Sequence, residues 1–280
     1  MKLSIITINY NNVEGLKLTL ASVAEQTYKQ IEHIIIDGGS TDGSVEAIKE
    51  YVAANPDRDP FFKHTIKWVS EEDSGIYNAM NKGIKKSTGA YVQILNSGDI
   101  FANLDVVERI VAEIEKVEYP ELLYGNMIKK DYATGKILGK SKEVEYSLRQ
   151  YYTSTMNHDC CYIRRDVYDK YGLYDESLKI VSDWKWFLQA IGLGKVKPVY
   201  VDIDVTIFDA SGISETNLEL RNKERRQVLE DVLPPAMLAD YAKYTFPMEE
   251  YNRLKKYHLW GLAWFVERVF FKLEKWHILR

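Results

Sequence analysis

Four apolar stretches of the sequence each end in a short polar group that could bind a cation or a phosphate. These groups are residues 9–12, 37–42, 71–73 and 96–99. The last reads "NSGD", and the carboxylate of Asp99 could hold Mg²⁺ or Mn²⁺ together with an anionic ligand, because hard cations prefer oxygen ligands. Asn, Ser, Gly and Asp are also common turn residues, so a plain turn or a helix cap at Asp99 is the alternative.

The polar group after the first apolar stretch does not match the common phosphate-binding loops. A dinucleotide-binding strand is followed by G-x-G-x-x-G, but residues 9–12 are "NYNN" and the next glycine is Gly15. A Walker A loop is also absent from the sequence. An anion bound here would therefore be held by a divalent cation and polar side chains and not by bare backbone.

Alternating β-branched and helical patterns predict the elements that position these groups. Strands are expected in residues 2–10, 31–37, 65–70, 90–95 and 121–126, with helices between them. This alternation predicts an α/β fold with a doubly wound, mostly parallel sheet. Ligands bind beyond the carboxyl ends of the strands in such sheets, and all four polar groups lie at predicted carboxyl ends.

The pattern is less regular after residue 125. It predicts a hairpin around residues 134–135, two helical pieces in residues 164–194, and a strand after Lys197. A charged helix then ends at Pro234, because proline cannot continue a helix. The last 30 residues again have a helical pattern.

Composition excludes several classes of protein. The 280 residues carry a net charge of −4, which argues against a nucleic-acid partner. Cys160 and Cys161 are adjacent and form no disulfide framework, which indicates a reducing compartment. No stretch has the length of a membrane span, and the short apolar run at the N-terminus is typical of a strand and not of a signal peptide. A cytoplasmic location is expected.

Five stretches, taken in order, resemble glycosyltransferase family 2. They are "LSIITINYNNVEGLKLTLASVAEQTY", "IEHIIIDGGSTDGS", "DSGIYNAMNKGI", "GAYVQILNSGD" and "YDESLKIVSDWKWFLQA". The resemblance covers residues 3–215 and is closest to the branch that builds bacterial surface polysaccharides of the O-antigen and colanic-acid type. It implies a GT-A fold, with a nucleotide-sugar half in 1–125, an acceptor half in 126–215 and a helical appendage in 216–280.

The same resemblance implies roles for individual residues. Asp183 matches the catalytic base, Asp99 the ligand of Mg²⁺ or Mn²⁺, and His158 and Trp184 lie on the acceptor side. A histidine satisfied in the core is the alternative at His158, as is a core tryptophan at 184. "DASGIS", residues 209–214, resembles a segment that closes over the diphosphate. The implied donor contacts are Thr7, Asn9, Asp37, Gly38, Asp73, Lys82, Asn96 and Ser97.

The chain departs from the family pattern at four positions in these motifs. Gly38 replaces an acid that often contacts the base, and Met80 replaces an arginine for which Lys82 could substitute. Asn96 and Gly98 replace two acids of the metal signature, which predicts weaker metal dependence. A catalytically impaired sugar-nucleotide-binding relative therefore stands beside the leading expectation, an inverting sugar transfer from a nucleotide-diphosphate donor to a glycan or lipid-linked glycan. A nucleotidyltransferase is a third reading.

The C-terminal segment, residues 251–280, combines aromatic residues with a net charge of +5, whereas the rest of the chain carries −9. Trp and Lys/Arg are favoured at membrane interfaces, so a contact with the inner face of the cytoplasmic membrane is one expectation. Packing on the catalytic domain or on a second copy in a homodimer is the other.

Overall fold

The described part of the chain contains a single nine-stranded sheet. The structure, a computed structural model, describes residues 1–55, 65–132, 134–209 and 217–243. In these ranges the strand order is β3-β2-β1-β4-β8-β6-β9-β5, with β7 paired to β6. The predicted membrane or dimer segment 251–280 and residues 210–214 of the predicted closing segment lie outside the described residues.

The elements are numbered in chain order. The strands are β1 (Leu3–Asn9), β2 (Ile31–Asp37), β3 (Thr65–Ser70), β4 (Tyr91–Ile94), β5 (Ile100–Phe101), β6 (Leu122–Lys130), β7 (Ile137–Lys140), β8 (Cys161–Arg164) and β9 (Pro198–Asp209). The helices are α1 (Val13–Ala24), α2 (Ser44–Ala54), α3 (Ile76–Lys86), α4 (Val106–Lys116), α5 (Leu148–Thr153), α6 (Arg165–Tyr171), α7 (Ser182–Phe187) and α8 (Leu218–Val232). A 3₁₀ turn covers His158–Cys160 and a π-helical turn covers Leu188–Gly192.

Strands β1 to β4 form the parallel half of the sheet. β1 pairs in parallel with both β2 and β4, and β2 pairs in parallel with β3. The register places Asn9 opposite Asp37, and Asp37 opposite Ser70. The carboxyl ends of these strands therefore meet at one edge, and the α/β fold class with this parallel arrangement is confirmed.

Local chemistry explains where the parallel half begins and ends its elements. β1 and β2 are buried along their whole length, as expected for parallel strands covered on both faces. The side chain of Asn12 accepts a hydrogen bond from the backbone N–H of Gly15 at 3.2 Å and caps α1. Helix α3 approaches β1 so closely that a Cβ on Gly83 would lie 2.3 Å from Cγ2 of Ile6, which requires glycine.

Strands β5 to β9 form the mixed half. β8 runs antiparallel to both β4 and β6, and β6 runs parallel to β9. The β6–β7 pair is antiparallel and joined by a short turn, so the predicted hairpin is confirmed. The four-residue strand β8 and the two-residue strand β5 were not predicted, because neither is long enough to show a periodic pattern.

One large apolar cluster of described residues lies between the sheet and helix α4. Its fully buried members come from both halves, for example Ile5, Leu95, Ile110, Leu123 and Val205. The chain divides into two compact units, Met1–Arg226 and Gln227–Arg280. The predicted boundary near residue 215 stays a prediction. Among the described helices, none combines the length and apolarity that a membrane span requires.

Candidate active site

A cleft of about 1220 Å³ opens beyond the carboxyl ends of the parallel strands. All four polar groups singled out from the sequence contribute to it or support it, as the parallel topology requires. Nine of the twelve predicted site residues line this cleft: Asn9, Gly38, Asp73, Asn96, Ser97, Asp99, His158, Asp183 and Trp184. Thr7, Asp37 and Lys82 do not.

Asp37 lies behind the cleft wall and fixes the shape of the loop. It is fully buried, and its carboxylate accepts hydrogen bonds from Asn9 Nδ2 at 2.8 Å, Ser40 Oγ at 2.6 Å and Ser70 Oγ at 2.6 Å. Burial by itself would raise the pKa of Asp37, but these hydrogen bonds outweigh it and lower the pKa. The carboxylate therefore joins the ends of β1, β2 and β3.

Thr7 and Lys82 also have partners away from the cleft. Thr7 is fully buried in β1, with Oγ1 2.9 Å from Nε2 of His33. Lys82 forms a salt bridge of 3.0 Å with Glu71 and donates to the carbonyl of Glu72 at 3.1 Å. Thr7 therefore supports strands β1 and β2, and Lys82 supports the loop between β3 and α3. Neither residue lines the cleft.

Tyr10, Gly38 and Asp73 form one end of the cleft, beyond strands β1 to β3. A Cβ on Gly38 would lie 2.9 Å from Oδ2 of Asp73 and 3.1 Å from Cδ2 of Tyr10. The Tyr10 ring is 67% exposed, so one aromatic face is open to a ligand. Asp73 Oδ1 accepts from the backbone N–H of Gly75 at 3.1 Å, which aims the carboxylate. The bare backbone of Gly38, the ring of Tyr10 and the carboxylate of Asp73 thus lie together at this end of the cleft.

The turn 96–99 is anchored to β1 and α1. The backbone N–H of Ser97 donates to the carbonyl of Ile8 at 3.0 Å, and Asn12 Nδ2 donates to the carbonyl of Ser97 at 3.1 Å. Thr19 Oγ1 donates to the backbone carbonyl of Asp99 at 2.8 Å. Asp99 is only 4% exposed, yet it forms part of the cleft wall. The carboxylate is therefore placed by backbone contacts on both sides.

Asp99 suits a divalent cation that is shared with a ligand. The described residues contain no group of three or more His, Cys, Asp or Glu side chains arranged as a metal site. Mg²⁺ is often bound by one or two carboxylates plus substrate phosphates and water. One carboxylate in a cleft wall fits that pattern and does not fit a cage made of protein ligands alone.

Asp183 is held in the cleft by two hydrogen-bond donors. The Tyr77 hydroxyl donates to Oδ1 at 2.9 Å, and Nδ1 of His158 lies 3.2 Å from Oδ2. The side chains of His158 and Asp183 are 17% and 16% exposed, so water screens the pair only weakly. Each carboxylate oxygen can accept more than one hydrogen bond, so a ligand hydroxyl can still reach Asp183.

The two charges stabilise each other. Burial by itself would lower the pKa of His158, but the hydrogen bond and the charge of Asp183 outweigh it and raise the pKa to about 9. Burial would raise the pKa of Asp183, but His158, with help from Tyr77, holds it below the usual value. At neutral pH the pair is therefore an imidazolium and a carboxylate.

Asn96 links the His158–Asp183 pair to the turn 96–99. Its side-chain amide lies 3.1 Å from Nε2 of His158. An imidazolium donates from both ring nitrogens, so it requires the amide oxygen of Asn96 to face Nε2. With the nitrogen facing the ring, Oδ1 of Asn96 is buried without a hydrogen-bond donor. With the amide oxygen facing the ring, Nε2 of His158 donates a hydrogen bond and Oδ1 of Asn96 accepts it.

Trp184 lines the cleft but is covered. It is 2% exposed, its Nε1 donates to the carbonyl of Tyr151 at 2.6 Å, and the Arg225 guanidinium lies 4.6 Å from the ring centroid. Arg225 also donates to the carbonyls of Thr153 and Ser154. The surface beside Asp183 is therefore formed by Arg225 and not by an open indole face.

Sequence reasoning missed Tyr10, Tyr77, Arg221 and Arg225, all of which line the cleft. Arg221 and Arg225 are four residues apart, a spacing that places them on one helix face. That signal was available, but nothing local indicated that this face of α8 borders the cleft. Tyr77 lies within a quoted motif, and its partner Asp183 is more than a hundred residues away.

Comparison with known protein families and sequences gives consistent results. The family model described as "Glycosyl transferase family 2" matches residues 4–172. An uncharacterized glycosyltransferase of Mycobacterium tuberculosis is 31% identical over 213 residues, which cover 75% of this chain and 76% of the relative. A PGL/p-HBAD biosynthesis glycosyltransferase of Mycobacterium bovis is 25% identical over 214 residues, 76% of this chain and 79% of the relative.

Two solved structures show the fold. Staphylococcus aureus TarS 1–349, in complex with UDP-GlcNAc, has a TM-score of 0.63 at 19% identity and covers 93% of this chain and 78% of its own. The mannosyltransferase PcManGT of Pyrobaculum calidifontis, in complex with GDP-Man and Mn²⁺, has a TM-score of 0.61 at 15% identity and covers 84% of this chain and 66% of its own. The fold of this chain is the GT-A fold, as predicted.

Proposed function

The chain belongs to glycosyl transferase family 2, and on that basis we propose that it transfers a sugar from a nucleotide-diphosphate donor to an acceptor hydroxyl, with inversion at the anomeric carbon. The observation that supports this most is the placement of two acids, Asp99 and Asp183, in the walls of one cleft. One acid can serve the leaving diphosphate and the other the attacking hydroxyl.

The order of the strands supports one orientation of the donor. From β3 to β4 the carboxyl ends span three strand spacings, about 14 Å at about 4.8 Å each. We place the nucleoside at Tyr10, Gly38 and Asp73, and the diphosphate at the turn with Asn96, Ser97 and Asp99. An extended nucleoside diphosphate is long enough to reach from one to the other. Asn9 lies between them, and Asp37 supports the loop from behind.

The nucleoside end favours particular bases. Carboxylate oxygens only accept hydrogen bonds, so Asp73 matches a base that presents a ring N–H. Uracil, thymine and guanine have such a group, whereas the corresponding ring nitrogens of adenine and cytosine are acceptors. The open face of Tyr10 would stack on the base, since aromatic rings stack on any base.

Asp99 would hold Mg²⁺ or Mn²⁺ between its carboxylate and the diphosphate. When bound, the cation would neutralise charge on the departing diphosphate. The loss of two acids at Asn96 and Gly98 predicts a weaker cation site than a fuller acidic signature would give.

Asp183 would act as the general base. As the acceptor oxygen bonds to the anomeric carbon, the bond from that carbon to the phosphate oxygen breaks, and the hydroxyl proton passes to the Asp183 carboxylate. His158 keeps Asp183 ionised before the reaction, and Tyr77 orients it. His158 would thus act through Asp183, and its place on the acceptor side stays a prediction.

The acceptor is proposed to be a glycan or lipid-linked glycan, in bacterial surface polysaccharide synthesis at the inner face of the cytoplasmic membrane. The similarity to a relative named as a PGL/p-HBAD biosynthesis glycosyltransferase supports an acceptor in the synthesis of a larger glycosylated product. Asp183, Arg225 and Met127 all line the cleft, and Arg225 offers a cation to the acceptor.

The test is release of nucleoside diphosphate from a panel of UDP-, GDP-, dTDP-, ADP- and CDP-sugars with Mn²⁺, with and without acceptor glycans. Calorimetry with the same nucleoside diphosphates measures binding separately. Turnover of one donor class supports the proposal. Tight binding without turnover in any acceptor mixture would favour the catalytically impaired relative, and pyrophosphate release from a nucleoside triphosphate and a sugar phosphate would favour a nucleotidyltransferase.

A further inference from the structure

The hairpin formed by β6 and β7, residues 127–142, carries apolar side chains on an exposed strand. All four residues of β7 are exposed, and Ile137 and Leu138 are 64% and 50% exposed. β7 pairs with β6 on one side, and no other described strand pairs with it. Neighbouring side chains of a strand leave on opposite faces, so the two apolar side chains flank a thin ribbon.

The same hairpin is strongly basic. Residues 127–142 contain five lysines and one aspartate, a net charge of +4 in a chain whose total is −4. Lys140 forms a salt bridge of 2.5 Å with Asp204. The exposed Lys136 and Lys142 form no salt bridge within the described ranges. Positive charge is therefore available on both sides of the apolar pair.

Hydrogen bonds between described residues close the turn of the hairpin. The backbone N–H of Asp131 donates to the carbonyl of Lys136 at 2.9 Å, and that of Thr134 donates to the Asp131 carboxylate at 3.2 Å. Ser141 bonds back to Met127, whose side chain borders the cleft. The hairpin is thus a preformed projection that starts at the cleft wall, on the side proposed for the acceptor.

We propose that this hairpin docks on an anionic phospholipid surface, with its lysines at the lipid phosphates and Ile137 and Leu138 in the interfacial layer. Lysine on an edge strand alone would protect it from pairing with another chain, but two exposed aliphatic residues beside the lysines oppose that role. Basic and apolar residues together are what an anionic membrane interface favours. A hairpin docked in this way would hold the cleft near the membrane.

The test is co-sedimentation of the full chain with phosphatidylcholine vesicles with and without phosphatidylglycerol. Binding is measured without donor or acceptor, so failure of the proposed transfer reaction would not affect it. The double variant Lys136→Glu/Lys142→Glu is expected to bind anionic vesicles at least about tenfold more weakly, since each basic residue near the surface is worth about 1 kcal/mol. Ile137→Ser/Leu138→Ser is expected to weaken binding about as much. Leu18→Ser and Lys49→Glu, exposed on α1 and α2, are matched controls.

A dye that senses polarity, attached at Leu138→Cys, reports on the hairpin regardless of binding elsewhere. Its emission is expected to shift to the blue with anionic vesicles and not with phosphatidylcholine alone. An unchanged emission, or hairpin variants that bind like the controls, would overturn the proposal. A dimer in light scattering that Ile137→Ser/Leu138→Ser dissociates, without vesicle binding by the parent chain, would overturn it in favour of a second copy as partner.

Discussion

The two halves of the sheet position their site residues by different means. In the parallel half, the polar cleft residues Asn9, Gly38 and Asn96 lie at or just beyond the end of a strand whose register with its neighbours is fixed. In the mixed half, the antiparallel strand β8 and the short helix α7 bring His158 and Asp183 together through side chains. The side proposed for the donor is therefore fixed by backbone pairing, and the proposed base by a polar network.

The two halves of the sheet should therefore respond differently to substitution of their site residues. A turn held by backbone hydrogen bonds keeps its shape when one side chain is shortened, so only the ligand contact is lost. A buried charge pair leaves an uncompensated charge when one partner is removed, so the effect spreads to the other residue. Substitutions in the turn should therefore affect one ligand contact, whereas substitutions in the charge pair should affect both partners.

Asp183→Asn should lower turnover about 10³-fold, because the amide cannot take the proton of the acceptor hydroxyl. Donor binding should stay nearly unchanged, since the donor is held in the parallel half. Steady-state rates and calorimetry with a nucleoside diphosphate measure the two effects. Asp166→Asn, on an exposed carboxylate outside the cleft, is the control. Near-full activity in Asp183→Asn would refute its role as the base.

Asp99→Ala should weaken nucleoside diphosphate binding about 30-fold in the presence of Mn²⁺, because a charged ligand of the cation is lost. Without Mn²⁺ the variant and the parent chain should bind alike. Asp105→Ala, exposed a few residues later, is the matched control. Titration curves that are unaltered by both the substitution and the cation would contradict a metal role for Asp99.

His158→Gln should reduce turnover about tenfold, since Asp183 loses its charged partner but not Tyr77. The free energy of unfolding should fall by about 3 kcal/mol near pH 6, as expected when a largely buried pair loses one charge. The folded pKa of His158 is above its unfolded value, so its stabilisation is complete below about pH 6.5 and is lost as pH rises through about 9.

Denaturant unfolding of His158→Gln and the parent chain across this pH range checks the sign. The difference between the two should shrink as the pH increases above 6.5. At low pH, Asp183 gives the opposite limit, because a carboxylate with a lowered pKa loses its stabilising effect as the pH falls through that pKa. A stability difference that grows at alkaline pH would show that His158 is not the charged partner. Asp183→Asn combined with His158→Gln completes a double-mutant cycle.

Asp73→Asn should change the base preference and should have the smallest of these effects. Uridine diphosphate should bind about fivefold more weakly, since a hydrogen bond to a charged acceptor is replaced by one to a neutral acceptor. Binding of cytidine diphosphate should be unchanged or improved, because the amide can also donate. Glu72→Gln, on the exposed neighbour, is the control. Equal losses for both nucleotides would exclude a contact between Asp73 and the base.

The parallel half could largely be predicted because its signals are local. Residues 2–10 and 31–37 are apolar, β-branched runs that end in turn residues, and both are buried strands. The hairpin near residue 135 and the stop before Pro234 follow from turn and proline chemistry in the same way. β8 was missed because four residues, "CYIR", carry no period that separates strand from helix.

The candidate site could be predicted in composition more than in arrangement. The types of residue at Asp99 and Asp183 and their motifs indicated acid chemistry, and both lie in the cleft. Lys82 was expected near a diphosphate, and its pairing with Glu71 could not be anticipated because the partner is set by the path of one loop. Trp184 was placed on the acceptor side with a core tryptophan as the alternative, and a helix distant in sequence supplies Arg225 to cover its ring.

From the amino-acid sequence alone follow the strands and helices of the parallel half, the polar groups after its strands, and the basic character of the hairpin. These depend on residue size, branching and charge over a few positions. Tertiary structure alone decided that His158 would meet Asp183 and Asn96, and that Tyr77 would reach the same carboxylate. Those contacts join residues 25 to 106 positions apart, and they exist because β8 inserts beside β4 and α7 packs against α3.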